Sequence, residues 1–268
     1  NSTSSNKTTR KEIKMKHTFK CLTAMAVSLL CATTASAATI DVMVLYTQPA
    51  ANNVSNIDTK INQYISHANR VYRNNAVDLQ LRLVGAQSSA ATSSDLQPTE
   101  SALDLLTDSS GVQSARTSNG ADMVVLLGNR ENIYEGGQLV GYVCGIGWVG
   151  QGTNGTLYSS SQSRMYSISA VDCGLSTFVH ELGHNMGLGH SVRQGSVGGV
   201  YNDGIGHGVD NNFSTIMAYP QAFGSATQLD YFSDPYWSGC NGQACGVENE
   251  SNAYRAVNAV INQIANYY

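Results

Sequence analysis

The sequence predicts an α+β chain, α/β-like in its first half, built on one twisted mixed sheet. Three observations carry this. Residues 39–46 (TIDVMVLY) and 121–128 (ADMVVLLG) are apolar runs of strand length, the pattern of strands buried on both faces. Between them, a stretch with helical spacing is followed by a stretch of strict alternation. The resulting order, strand, helix, strand, helix, then strands, suits a layered domain around one main sheet.

Taken in order, residues 39–46 form the first strand. Residues 56–75 carry Ile57, Ile61, Ile65 and the stretch 68–71 at helical spacing. Residues 77–84 (VDLQLRLV) alternate apolar and polar, a strand with one wet face. Residues 86–99, rich in Ser, Ala and Gln, form a loop, and 101–115 a second, weaker helix. Residues 121–128 are the central strand, and 139–144 and 164–171 are two more. The Gly/Ser/Asn stretch 150–163 between these two is a loop. Residues 175–186 form a helix. Residues 248–267 form the last one, with apolar Ala253, Ala256, Val257, Val260, Ile261 and Ile264. No internal repeat or proline-rich linker divides residues 38–268, which read as a single domain. With 42% hydrophobic and 13% charged residues, the chain can bury a large core and is not of disordered composition.

Residues 1–37 differ from the rest. A basic start from Met15 to Lys20, an apolar run at 22–32 too short to span a bilayer, and Ala35-Ser36-Ala37 together read as a secretory signal peptide cleaved before Ala38. Residues 1–14 lie upstream of that start. A lipoprotein anchor at Cys31 is disfavoured by Leu30, where a small residue is needed. The first strand starts close to the expected cleavage point, so latency through an inhibitory pro-segment is not expected in this sequence. No later segment is long and apolar enough to cross a membrane.

Beyond residue 37 the chain holds nine basic and 18 acidic residues, a net charge of −9, with Lys60 the only lysine. Such a surface suits a soluble exported protein and argues against nucleic acid as a partner. Of six cysteines, Cys21 and Cys31 fall in the leader. The even remainder, Cys144, Cys173, Cys240 and Cys245, suggests two disulfides. Cys144–Cys173 with Cys240–Cys245 is favoured among the three possible pairings.

Gly145-Ile-Gly-Trp-Val-Gly150 has the GxGxxG spacing of dinucleotide sites. That use needs a helix to open at the turn, and QGTNGTLYSSSQS follows instead. These glycines are expected to shape a loop or bulge beside an exposed strand edge.

The chemistry concentrates in residues 180–191, HELGHNMGLGHS. His180 and His184 are four apart, so on a helix both imidazoles lie on one face, within reach of one zinc ion. Glu181 can reach a metal-bound water, whose pKa zinc lowers toward ~7, and act as general base. Gly187 can adopt the left-handed conformation that ends a helix and returns His190 as a third ligand. Three protein ligands leave one position open, the mark of a catalytic site. In chains of this composition H-E-x-x-H arises by chance in roughly three per thousand; the glycine and third histidine lower that to on the order of 10⁻⁵. His207 and His67 read as loop and helix residues, and Asp172 as a cap before the helix. No GxSxG elbow supports a serine hydrolase.

His180, Glu181, His184, Gly187 and His190 match H-E-x-x-H-x-x-G-x-x-H, and here the chain resembles the metzincin zinc endopeptidases. Met217, 27 residues after His190 in STIMAY, resembles their methionine turn, which implies a hydrophobic floor under the histidines. Tyr219 resembles the tyrosine of astacin-like and serralysin-like members. That implies a zinc ligand at rest and a hydrogen-bond donor to the tetrahedral intermediate. The layout is similar to bacterial reprolysin-like and peptidyl-Asp metalloendopeptidases, although Ser191 stands where some branches have an acidic residue.

The resemblance implies an upper subdomain of sheet and helices ending in the active-site helix. A smaller, irregular lower subdomain would hold His190, the methionine turn and the C-terminal helix. A protein or peptide substrate would lie between them as an extended strand against the edge strand near 139–144, beside a pocket walled by residues 220–235. The expected function is that of a secreted, monomeric zinc endopeptidase. A zinc amidase acting on cell-wall peptide and a non-catalytic zinc-binding protein or toxin are the alternatives. Asp203, Asp210, Asp230 and Asp234 offer oxygens for calcium but lack EF-hand spacing, so solvated loops are the plainer expectation.

Overall fold

The computed structural model describes residues 37–89 and 96–268. The expected leader therefore lies outside the described residues, apart from Ala37. Strand β1 (Ala38–Tyr46) leads through a short helix α1 (Gln48–Asn52) to α2 (Ile57–Asn74), then to β2 (Leu79–Ser88). Helices α3 (Glu100–Asp108) and α4 (Ser110–Ser118) precede β3 (Met123–Gly128). An antiparallel hairpin, β4 (Glu131–Glu135) and β5 (Gln138–Val143), comes next, then β6 (Gly145–Gly147). A two-residue hairpin, β7 (Gly152–Thr153) and β8 (Thr156–Leu157), leads to β9 (Tyr166–Ala170) and helix α5 (Leu175–Asn185).

The main sheet has the order β2-β1-β3-β9-β6. The first four strands run parallel and β6 closes one edge antiparallel to β9. It is therefore a mixed sheet. Its faces follow from alternation along β1. Ile40, Val42 and Val44 pack with Ile61, Val71, Phe178 and Leu182 of α2 and α5. Met43 and Leu45 face the other way and pack with Leu103 and Leu106 of α3. A strand covered on both faces needs apolar residues at every position, which is why β1 and β3 read as continuous apolar runs.

Past α5 the chain becomes irregular. Its short strands are β10 (Gly189–Ser191) with β11 (Ile205–Gly206), and β12 (Gly208–Val209) with β13 (Phe213–Ser214) and β14 (Thr227–Gln228). Helix α6 (Ala253–Ile264) follows, and its buried Ala256, Val257, Val260 and Ile261 join the same core as Ile40 and Val71.

The single helix expected at 101–115 is two. Ser109 ends α3 and caps α4, its hydroxyl accepting from the Val112 amide. Strand β2 runs on to Ser88, into the stretch read as a loop, because its backbone stays paired with β1 as far as Tyr46. Helix α6 begins at Ala253 rather than 248, where Asn252 accepts from the Arg255 amide. The largest difference concerns the sheet edge. Residues 139–144 fall mostly in β5, which among the described residues pairs only with β4, and the edge strand of the main sheet is β6. Both disulfides form as favoured, Cys144–Cys173 and Cys240–Cys245. Cys144–Cys173 spans 29 residues, a closure worth about 3–4 kcal/mol in loop entropy, and ties the start of β6 to the approach of α5.

Candidate metal centre and its cleft

Helix α5 places His180 and His184 one turn apart, their ring centroids separated by 4.7 Å. The helix ends as the motif requires. Gly187 has φ of 86°, its amide donates to the His184 carbonyl, and the Leu188 amide donates to Gly183. The chain turns there, and β10 presents His190 back to the helix. His190 Nε2 lies 3.1 Å from His180 Nε2 and 3.2 Å from His184 Nε2.

The tautomers are fixed from behind. His180 Nδ1 donates to the Ile216 carbonyl at 2.7 Å, and His184 Nδ1 donates to the Leu188 carbonyl at 2.8 Å. A carbonyl only accepts, so each Nδ1 carries the proton and each Nε2 turns a lone pair inward. Three nitrogens around a tetrahedral zinc at 2.0–2.1 Å stand about 3.3 Å apart, close to what is found here. The donor set, its spacing and its tautomers fit zinc. Burial, reinforced by His184 and His190, holds His180 well below the usual imidazole range. Burial first, then His190, lowers His184 to about 4. Neutral imidazoles are the form a metal binds. Among the described residues, these three histidines are the only group of three or more His, Cys, Asp or Glu side chains clustered tightly enough for a metal.

Glu181 is buried, and burial pushes its carboxyl well above the usual range. Its Oε2 has no hydrogen-bond partner. A buried carboxylate left without a donor is costly, so this atom is poised for a proton or a water. Met217 is fully buried in the same core as Leu182. A β-carbon added at Gly183 would sit 2.6 Å from its sulfur, so the glycine between the two helical ligands makes room for the methionine. The turn around Met217 also supplies the Ile216 carbonyl that orients His180. The Tyr219 ring centroid lies 4.5 Å from that of His190 and 5.8 Å from that of His180. Gln194 Oε1 accepts from the amides of Ser191 and Tyr219, fastening the third histidine's neighbour to the tyrosine segment.

His180, Glu181 and Tyr219 open into a cleft of about 400 Å³. One wall is Ile133, Tyr142 and Val143; the other is Pro220, Gln221 and Gln228, with Ser176 and Thr177 from the first turn of α5. The other sequence candidates lie elsewhere. Asp172 does not cap α5, whose N-cap is Gly174; it accepts from the Arg130 amide. His67 is buried on α2 against Arg70, and His207 packs near Phe213. The four aspartates considered for calcium are dispersed: Asp203 pairs with Arg255, Asp210 with Arg193, Asp230 accepts from Ser176, and Asp234 from the Tyr236 amide.

Residues 58–191, half of the chain, match the M12B reprolysin-like metallopeptidase family. The chain belongs to this family. The reprolysin-like chain is 38% identical to a peptidyl-Asp metalloendopeptidase of Pseudomonas aeruginosa, over 94% of its own length and 44% of the relative's. It is 27% identical to a peptidyl-Asp metalloendopeptidase of Stenotrophomonas maltophilia, over 84% of its length and 52% of the relative's. It thus spans about half the length of the curated relatives it matches. A solved structure described as a chaperone-substrate complex shares the fold, with a TM-score of 0.66 and 22% identity over 87% of this chain and 36% of that one.

Some of what holds this reprolysin-like site together carried little sequence signal. Asn185, one residue past His184, is fully buried, and its Nδ2 donates to the carbonyls of Trp148 at 2.9 Å and Tyr166 at 3.1 Å. It staples α5 to the end of β6 and to β9. Asn185→Ala removes this donor from the partly buried Trp148 carbonyl and the buried Tyr166 carbonyl, a cost of about 2 kcal/mol. The expected result is a melting temperature lower by about 5 °C, measured by calorimetry on the zinc-loaded protein.

Proposed function

We propose that this chain is the catalytic domain of a secreted zinc endopeptidase. The observation that carries the reading is Glu181: a buried carboxyl with an unpartnered oxygen, beside three convergent imidazoles, lining a cleft of about 400 Å³. His180, His184 and His190 would hold the zinc, which when bound supplies Lewis acidity toward a water and toward the scissile carbonyl. Glu181 takes the water's proton and passes it to the leaving amine. Tyr219, half-exposed above His190, donates its hydroxyl hydrogen to the developing oxyanion.

Substrate would run along β6. The Trp148 amide donates to Tyr166 and the Ala170 amide to Cys144, so residues 144, 146 and 148 turn their backbone toward β9. Gly145 and Gly147 therefore direct their peptide groups toward the cleft, where an extended substrate can pair with them. Secretion is supported by the two disulfides, which suit an oxidising compartment. The activity named for both relatives favours peptidyl-Asp bonds as the substrate class.

A chelator should abolish cleavage of casein and lower the melting temperature, and added zinc should restore both. Cleavage that persists in chelator would overturn the reading. Digestion of peptidoglycan with casein left intact would favour the amidase instead.

A further inference from the structure

The ribbon β4–β5 stands apart from every layer of the fold. Its turn, Gly136-Gly137, has φ of 57° and 81° at the two central residues, the geometry of a tight hairpin. Among the described residues neither strand pairs with anything but the other. A lone two-stranded hairpin is marginal in water, and among the described residues this one is fastened at its base. The Arg130 amide donates to Asp172, Cys144 is bonded to Cys173, and the Arg130 guanidinium lies 4.7 Å from the Tyr142 ring centroid. Above that base the ribbon exposes apolar side chains: Ile133 is 43% exposed and Tyr142 53%, with Tyr134, Leu139 and Val140 beyond them. Clustered exposed apolar residues of this kind mark a surface awaiting a partner.

What covers it follows from continuity. Ile133, Tyr142 and Val143 form one wall of the cavity that holds His180 and Glu181. The ribbon runs directly into β6 through Cys144, so it lies beyond the point where the edge strand begins. In antiparallel pairing with β6, a substrate carries its leaving-group side past that point. Glu131 and Glu135 on the ribbon disfavour an anionic bilayer as the occupant.

We propose that Ile133 and Tyr142, with Val143, form an apolar subsite that grips the second and third residues on the leaving-group side of a peptide substrate. The inference rests on the endopeptidase reading above. The ribbon acts as a fixed upper jaw, because its base is tied to the segment leading into α5 at two consecutive residues, Asp172 and Cys173. Substrates with bulky apolar residues two and three positions past the scissile bond would bury the jaw's exposed faces. Those with glycines there would leave them wet.

The test uses two peptides that share one peptidyl-Asp bond, followed by Leu-Phe in one and Gly-Gly in the other. The parent should prefer the Leu-Phe peptide by kcat/KM. Ile133→Ala combined with Tyr142→Ala should lower that peptide's kcat/KM about 10- to 100-fold and leave the Gly-Gly peptide within about twofold. The double variant loses the Tyr142–Arg130 contact, but the Cys144–Cys173 bond and the Arg130–Asp172 hydrogen bond still hold the ribbon's base, so melting temperature should fall by no more than about 2 °C. Fluorescence anisotropy in a Glu181→Gln background should show the same selective loss as weaker binding of the Leu-Phe peptide. An equal effect on both peptides, or none on either, overturns the subsite while leaving the endopeptidase reading intact. A parent that cleaves neither peptide nor casein overturns both. Vesicle binding or self-association lost in the double variant, with peptide kinetics unchanged, assigns the face to a bilayer or a second copy and overturns the proposal.

Discussion

Glu181→Gln is expected to lower kcat/KM on peptide substrates by about 10³-fold or more, while zinc content stays at the parent's level. The size follows from the role proposed for it. A positioned general base contributes about 10²–10⁴-fold, and a thousandfold loss corresponds to about 4 kcal/mol of transition-state stabilisation. Zinc content should hold because none of the three ligand nitrogens depends on Glu181. His180 is oriented by the Ile216 carbonyl and His184 by that of Leu188. Stability should hold as well. The substitution keeps the side-chain shape and replaces a buried, partnerless carboxylate oxygen with a neutral amide, so the metal-free variant should melt no lower than the parent. Inductively coupled plasma measurement of zinc, thermal unfolding and peptide kinetics on one preparation decide the matter. Parent-level cleavage with zinc bound would remove Glu181 from the mechanism.

The three-histidine cluster was legible in the sequence because zinc chemistry would constrain both residue type and spacing. His180 and His184 must be four apart to share a helical face. Gly187 must take positive φ to bring His190 round, and few residues other than glycine do so readily. The strands β1 and β3 were legible because burial on both faces forbids polar residues at any position. The edge of the sheet was not, because β6 is three residues long and two of them are glycines. It displays backbone rather than side chains, so neither alternation nor apolar content could mark it. Its glycine spacing was recognised as unlike a nucleotide loop, but the reason for the glycines lies across space, in α5. Gly183 and Asn185 were hidden in the same way. Their partners, Met217 and the carbonyls of Trp148 and Tyr166, are far along the chain or carry no side-chain identity. The irregular segment between β10 and α6 was hardest to read, since its strands are two or three residues long and are fixed by tertiary packing rather than by local pattern.

Gly145→Val is expected to lower kcat/KM about 10²-fold with the fold and the bound zinc retained. A β-carbon at Gly145 would stand 2.3 Å from Glu181 Oε1, 2.6 Å from its Cδ and 2.7 Å from its Cγ. All three are below any tolerated contact, so the whole glutamate side chain must move or β6 must lift away from α5. Movement of the glutamate displaces the base from the reacting water by something near 1 Å, and a misplacement of that size costs about 10²-fold. Gly147 and Gly150 show that the constraint is general along this edge. Added β-carbons there would stand 3.0 Å from the Glu181 carbonyl oxygen and 2.3 Å from that of Asn185. The glycine run therefore lets the sheet edge lie directly on α5. Gly141→Ala in the neighbouring hairpin supplies the control: a β-carbon there meets nothing within 4 Å, so its activity should match the parent's. Because Gly145→Val preserves the peptide groups that would pair with substrate, its loss should fall mainly on kcat. A loss confined to KM would show instead that β6 had lifted and that the base had kept its place.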